Sequence, residues 1–152
     1  MLKLSPIAGP EIPSSSSSVA PDVGEMLRSA GLRPTRQRVA LGRVLFRKGD
    51  RHLTAEMLYE EALAGAVPVS LATVYNTLNQ LTAVGLLRQV SIDGAKNYFD
   101  TNVSAHQHFY VESSRELIDI PNNSLAFYNL SGMPAGYEIS RVDLIVRLRR
   151  SS

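Results

Sequence analysis

The chain contains no cysteine. That absence removes disulfides, thiolate zinc sites, cysteine nucleophiles and thiol redox sensing together, and it fits a reducing compartment. No run approaches the ~20 apolar residues of a membrane span. The opening, MLKLSPIAGPEIPSSSSSVAPD, has no apolar core of signal-peptide length. These absences predict a soluble, cytoplasmic protein. No G-x-S-x-G occurs, so nothing supports a serine hydrolase. Net charge is also small, +2, but it is unevenly spread. From Arg33 to Arg51 the only acid among many basic residues is Asp50. Such a stripe suits a polyanion, although a solvated helix face has the same composition.

What is present is a chain of 152 residues, 44% hydrophobic, enough to build a core. Residues 1–21 are rich in Pro, Gly and Ser and are expected to form a disordered tail. Four helical patterns follow. In the first, Asp22 caps, Met26, Leu27 and Ala30 form the apolar stripe, and Gly31 stops it. In the second, Pro34 lies at or near the first turn, Val39, Leu41, Val44 and Leu45, with Phe46 at the margin, give the buried face, and Gly49 ends it. In the third, Thr54 caps, Met57, Leu58 and Leu63 are apolar, and Gly65 stops it. The fourth is capped by Ser70. Leu71, Val74, Leu78 and Leu81 recur on one face, and Gly85 takes the position after the C-cap. Its other face, with Thr73, Asn76, Thr77 and Gln80, is polar and uncharged.

Two short strands, LLRQVSI and KNYFDT, flank DGA, a hairpin turn signal. Helices followed by a hairpin predict a winged helix over 22–102, with the fourth helix entering a DNA groove. Residues 103–152 are expected to form a second, smaller unit. NNSLAFYNLSG reads as a short helix capped near Asn123 or Ser124. Val142, Leu144, Val146 and Leu148 alternate with Arg141, Asp143, Ile145 and Arg147, which predicts a strand with one buried face. A piece of ~50 residues has too small a core to stand alone, so pairing with a second copy is expected.

Two of the three histidines lie in SAHQHFY. In an extended strand His106 and His108 project from one face. Such a pair is weak evidence for a metal. His52 precedes the third helix and could simply cap it. Asp100 ends the second wing strand. Asp119, in LIDI, belongs to a strand that would pair beside HFYV. Two histidines and a carboxylate on iron can also form an oxygenase site, but no general base or substrate pocket is suggested, and an enzyme is not expected.

GLRPTRQRVAL, RHLTAEMLYEEA, SLATVYNTLNQLTAVGLL and HQHFY followed by LIDI resemble the ferric uptake regulator (Fur) family from about Val23 to Ile120. PVSLATVYNTLNQL and YFDTN are most similar to its iron response regulator (Irr) branch. The resemblance implies an α+β fold: an N-terminal winged helix-turn-helix domain and a small C-terminal α/β dimerisation domain. It implies a metal-responsive transcription regulator of iron and haem genes, a homodimer on a roughly palindromic stretch of double-stranded DNA. His52, Asp100, His106, His108 and Asp119 match the family's regulatory metal site. Their donors suit one divalent Fe, Mn or Zn per subunit. The alternative is a metal-dependent peroxide-sensing repressor like the PerR branch, since both carboxylates are aspartates.

Ser70, Thr73, Tyr75 and Asn76 are the expected base-facing residues, because Asn bonds adenine and an aromatic ring packs on a thymine methyl. Tyr75 matches the family's tyrosine. Asn76 stands where an arginine is common, which implies a different base preference. Tyr75 could also be a core-edge aromatic. Arg33 matches a minor-groove residue, and Arg36, Arg38 and Lys96 are candidate phosphate contacts. Three departures stand out. Ser113 and Ser114 occupy a region where the family has zinc-binding cysteines. Ala105, Gln107 and Ala126 replace ligands of a second metal site. The Cys-Pro haem motif of some Irr proteins is missing, and Gln107 interrupts the run of three histidines usual there. Haem, or an enzyme of haem synthesis, is carried as a further partner by the Irr likeness alone.

Overall fold

The computed structural model describes residues 20–92, 94, 96–121 and 131–152. The chain has an α+β fold. Four helices come first: α1 (Val23–Ser29), α2 (Arg36–Phe46), α3 (Ala55–Ala64) and α4 (Leu71–Ala83). The strands are β1 (His52–Leu53), β2 (Arg88–Val90), β3 (Tyr98–Asp100), β4 (His108–Val111), β5 (Glu116–Asp119) and β6 (Ile145–Leu148). They form two sheets, ordered β1-β3-β2 and β5-β4-β6.

Each helix starts where a short polar side chain satisfies a free amide. Asp22, Thr35, Thr54 and Ser70 accept from the amides of Glu25, Arg38, Met57 and Thr73. Pro34 lies next to the first turn of α2, immediately before its cap Thr35. α1 and α4 end with paired bonds: Leu32 N–H to Leu27 O and Gly31 N–H to Arg28 O, and Leu86 N–H to Leu81 O and Gly85 N–H to Thr82 O. These motifs need a positive φ at one residue, and Gly31 (85°) and Gly85 (81°) supply it. α3 closes in the same way, but there the positive φ falls on Ala66 (56°) instead of Gly65. A side chain thus sits where glycine was expected one residue earlier, at a cost of about 1 kcal/mol.

The first core joins Leu27, Leu41, Val44, Leu45, Leu53, Leu58, Val74, Leu78, Leu81, Leu87 and Phe99. Three expectations need correction. Met57 and Leu63 are exposed, because Ala55, Leu58 and Ala62 form the inward stripe of α3 and 100° per residue carries the other two off it. Val39 and Leu71 are only half-buried. Thr77, assigned to the polar face of α4, is buried beside Leu78 and Leu81.

The wing hairpin forms in the register Arg88↔Asp100, Gln89↔Phe99, Val90↔Tyr98. Gly94 in its turn has φ 74°. β1, unforeseen in the sequence because it has only two residues, pairs with β3 so that His52 lies opposite Asp100. Thr101 extends this pairing: its hydroxyl accepts from the Arg51 amide (2.8 Å) and its amide donates to Arg51 O (3.1 Å).

In the second sheet β4 and β5 are antiparallel, with His108↔Asp119, and β6 runs parallel to β4. A smaller core joins Val90, Ile92 and Tyr98 of the wing to Tyr110 and Leu117, with Ile145 packed against them. This also corrects the sequence reading. The β6 residue packed on this core is Ile145, from the alternate set; it is half-buried, as is Val146, and Leu148 is exposed. The strand is also shorter, beginning at Ile145. The expected helix near Asn123 and Ser124, Ala126, and residues 1–19 of the expected tail lie outside the described residues. Among those described, no helix is long and apolar enough to cross a membrane.

Candidate metal centre

The two sheets meet at five side chains. β1 presents His52, β3 Asp100, β4 His108 and β5 Asp119. His106 lies just before β4, in chain extended enough to bring both HQH histidines to one point. Each of the five contributes one ligand-type atom, and these atoms all lie within 4.8 Å of one another. The register explains the meeting: His52↔Asp100 sets one cross-strand pair and His108↔Asp119 the other.

Asp100 is the centre of the cluster and is buried. Its Oδ2 lies 3.1, 2.7 and 2.9 Å from Nε2 of His52, His106 and His108. Its Oδ1 accepts the Asn102 amide at 2.9 Å. Asn102 Oδ1 accepts the Ser104 amide in turn, at 3.1 Å. These two side-chain turns fix the loop that aims His106. Burial pushes the Asp100 carboxyl up, but the His108 and His52 imidazoles and the Asn102 amide outweigh it and hold it well below the usual carboxylate range. Burial pushes His52 down, yet Asp100 and Asp119 outweigh that and raise it above 6.5.

The chemistry of these donors fits a cation at their centre. His106 Nδ1 is 2.6 Å from the Ser104 carbonyl, which only accepts, so Nδ1 carries the proton. In the neutral ring Nε2 then directs a lone pair at Asp100 Oδ2, itself an acceptor, 2.7 Å away. Two acceptors at that distance require positive charge between them. A single carboxylate oxygen also has too few lone pairs for three imidazole donors. Asp119 Oδ1 adds contacts of 2.8, 3.2 and 3.5 Å to the same three nitrogens. Although His52 Nε2 and Asp119 Oδ1 are close and buried, neither makes a well-directed hydrogen bond. Ligands ~2.1 Å from a common ion are separated by ~3 Å along each edge, which is the spacing seen here.

Four of the eight residues expected at DNA line one groove, and Tyr75 and Lys96 meet at Glu56. A groove of about 510 Å³ runs between the start of α2 and the polar face of α4, lined by Arg36, Arg38, Thr73, Asn76 and Gln80 among others. Arg38 is anchored there: Nε donates to Gln80 Oε1 (3.1 Å) and Nη1 to Arg33 O (2.9 Å). Arg33, Arg36 and Asn76 are exposed. Ser70 caps α4 and its hydroxyl meets that of Thr73 at 2.9 Å. The Tyr75 hydroxyl donates to Glu56 Oε1 at 2.7 Å, and Lys96 Nζ lies 3.3 Å from the same oxygen. Tyr75 is therefore a surface residue, not a core-edge aromatic. Glu56 was not singled out from sequence, since only tertiary folding brings α3, α4 and the wing together.

A winged helix joined to a small sheet by a histidine–aspartate centre defines a class of metal-dependent DNA-binding regulators. The sequence matches the ferric uptake regulator family over residues 29–147, and the chain belongs to that family. Its members are metal-responsive transcription regulators, not enzymes. The chain is 30% identical to the ferric uptake regulation protein of Shigella flexneri over 105 residues, 68% of this chain and 71% of that one. It is 34% identical to the peroxide-responsive repressor PerR of Staphylococcus epidermidis over 94 residues, 61% of each chain, so that match spans under two thirds of the relative. Among solved structures, the manganese-containing ferric uptake regulator from Pseudomonas aeruginosa superposes with a TM-score of 0.66 at 27% identity, covering 86% of this chain and 98% of that one.

Proposed function

We propose that the protein is a homodimeric, metal-responsive transcription regulator of iron and haem genes, of the Irr kind within its family, acting in the cytoplasm. In this reading residues 22–102 bind DNA, 103–152 form the hinge and dimer unit, and 1–21 are a tail. His52 and Asp100 come from the first part, His106, His108 and Asp119 from the second. All five would hold one divalent Fe, Mn or Zn, which supplies the charge and directed bonds that join the parts. The convergence of these five side chains from two sheets carries the proposal.

What the chain's residues do follows from their positions. His106 is fixed in one tautomer by Ser104 O, so its Nε2 is ready to bind. Asp100 is fixed by Asn102. Closing the five ligands sets the angle between the two parts, and hence the separation of the two α4 helices in a dimer. Ser70, Thr73, Tyr75 and Asn76 would face bases, with Arg33, Arg36, Arg38 and Lys96 on sugar and phosphate. The shift toward the DNA-binding arrangement equals the difference in metal affinity between open and closed chains. Binding of iron-box DNA by metal-free, Mn(II)-loaded and haem-treated protein tests this. Tighter binding with Mn(II) is expected, and equal affinity in all three states contradicts it. The haem arm tests haem as a ligand, which without cysteine would fall first to the histidines around position 106.

A second reading, a peroxide-sensing repressor, draws on the aspartates at both carboxylate positions and on the PerR relative. Peroxide treatment with Fe(II), followed by mass spectrometry of His52 and His106, decides it: no added oxygen dismisses the sensor.

A further inference from the structure

Arg88 stands on β2 directly across β3 from His52, with Asp100 between them in the sheet. Its side chain is 11% exposed and reaches the chain before β4 and the segment before β6. Nη1 donates to Ser104 O (3.3 Å) and His106 O (3.2 Å), the two carbonyls that flank Ala105. Nη2 lies 2.6 Å from Asp143 Oδ1, just before β6. Arg141 grips the same oxygen through Nε (2.8 Å) and donates from Nη2 to Gln89 O on β2 (3.3 Å).

Gln107 fixes the same segment within the second part. Its Oε1 accepts the Leu144 amide at 2.7 Å and its Nε2 donates to Val142 O at 3.3 Å. The segment Arg141–Leu144 is thus bonded to both the wing strand and the hinge. None of these contacts involves a ligand-type atom of the metal centre.

The geometry points to a second fastening between the two parts, independent of metal: Arg88, Asp143 and Arg141 brace the closed arrangement beside the histidines, and Gln107 holds the Arg141–Leu144 segment in place for them. Arg88 is a positioning residue. It holds the carbonyl of Ser104, which sets the His106 tautomer, and so prepares the site before any ion enters. A brace of this kind raises the fraction of metal-free chains that are already closed, and apparent metal affinity scales with that fraction. The inference rests on the proposed metal switch only for its Mn(II) arm.

The cysteine-free chain allows a direct test. Spin labels at Glu60→Cys on α3 and Ser113→Cys at the β4–β5 turn report the distance between the parts. Labelled chains are diluted into excess unlabelled chain, so that only intrachain distances count. Without metal, the otherwise wild-type protein is expected to give a narrow distribution. Asp143→Asn and Arg88→Gln should each broaden it, and Arg88→Lys, which keeps charge but not the three-way fork, should fall between. Mn(II) should narrow the variants again, with affinity lowered roughly fivefold or more. A metal-free distribution equally broad, or equally narrow, with and without Asp143→Asn overturns the brace. Should Mn(II) fail to bind the wild type, the switch fails, while the metal-free distances still decide the brace.

Discussion

The two parts of this chain are stabilised in different ways. The helical part closes its own core: α1 to α4, β1, β3 and Leu87 before β2 contribute fourteen buried apolar residues among those described. Gly42 shows how tight it is, since a Cβ there would collide with Val23 Cγ1. The second sheet contributes only Tyr110 and Leu117 to a buried cluster whose other members belong to the wing. It is held by the five-residue centre, by the Arg88–Asp143 brace and, in the proposed dimer, by a second copy over Ile118 and Leu148, which are exposed. One part folds on burial, whereas the other is held by polar contacts and, in the proposed reading, by a metal that can switch it.

The largest expected effect tests that contrast in the cores. Leu78→Ala should cost ~3–5 kcal/mol, because a fully buried side chain leaves a cavity. Leu117→Ala should cost less, and its melting temperature should rise with protein concentration as dimerisation compensates. Denaturant titrations at two concentrations check both; equal, concentration-independent losses would erase the distinction.

Next in size is a difference in pH dependence. Burial pushes Glu61 up, but Arg51 (2.8 Å) and Lys48 outweigh it and lower its carboxyl below 4.5. Its stabilisation, about 1 kcal/mol, is complete above pH 4.5 and lost as pH falls through the lowered value. His52 has the opposite sign. Its raised value makes its contribution complete below pH 6.5 and lost as pH rises through the folded value, in metal-free protein. Metal needs the unprotonated ring, so Mn(II) should reverse the alkaline loss. Stability curves of Glu61→Gln, which should reduce the acid loss and leave the alkaline limb unchanged, and of wild type with and without Mn(II) check this.

The smallest effect concerns the helix end. Ala66→Gly should stabilise the helical part by up to ~1 kcal/mol, by relieving the positive φ at the end of α3. A thermal melt shows it, and destabilisation would place the entropy gained by the unfolded chain above the strain removed.

The helical part was the more legible in sequence. Asp22, Thr54 and Ser70 cap through local chemistry, and the Leu41, Val44 and Leu45 stripe is local too. Thr77 and Met57 misled because polarity and hydrophobicity rank residues by type, while helix phase decides burial. In the second part, alternation located β6 but not its inward residue, since Ile145 faces a core supplied by another strand pair. The five-residue centre was readable only through the family resemblance: β1 has two residues and leaves no periodicity. Glu56 and Arg88 were not foreseen, because their partners are distant in sequence.

The central claim is that one ion is held by side chains from both parts. Isothermal titration of Mn(II) into wild type, His52→Ala and His106→Ala tests it most directly. One ion per chain is expected in the wild type, with affinity lowered at least about 100-fold in each variant. Unchanged binding in His52→Ala would show that the winged part contributes no ligand, and would contradict the account.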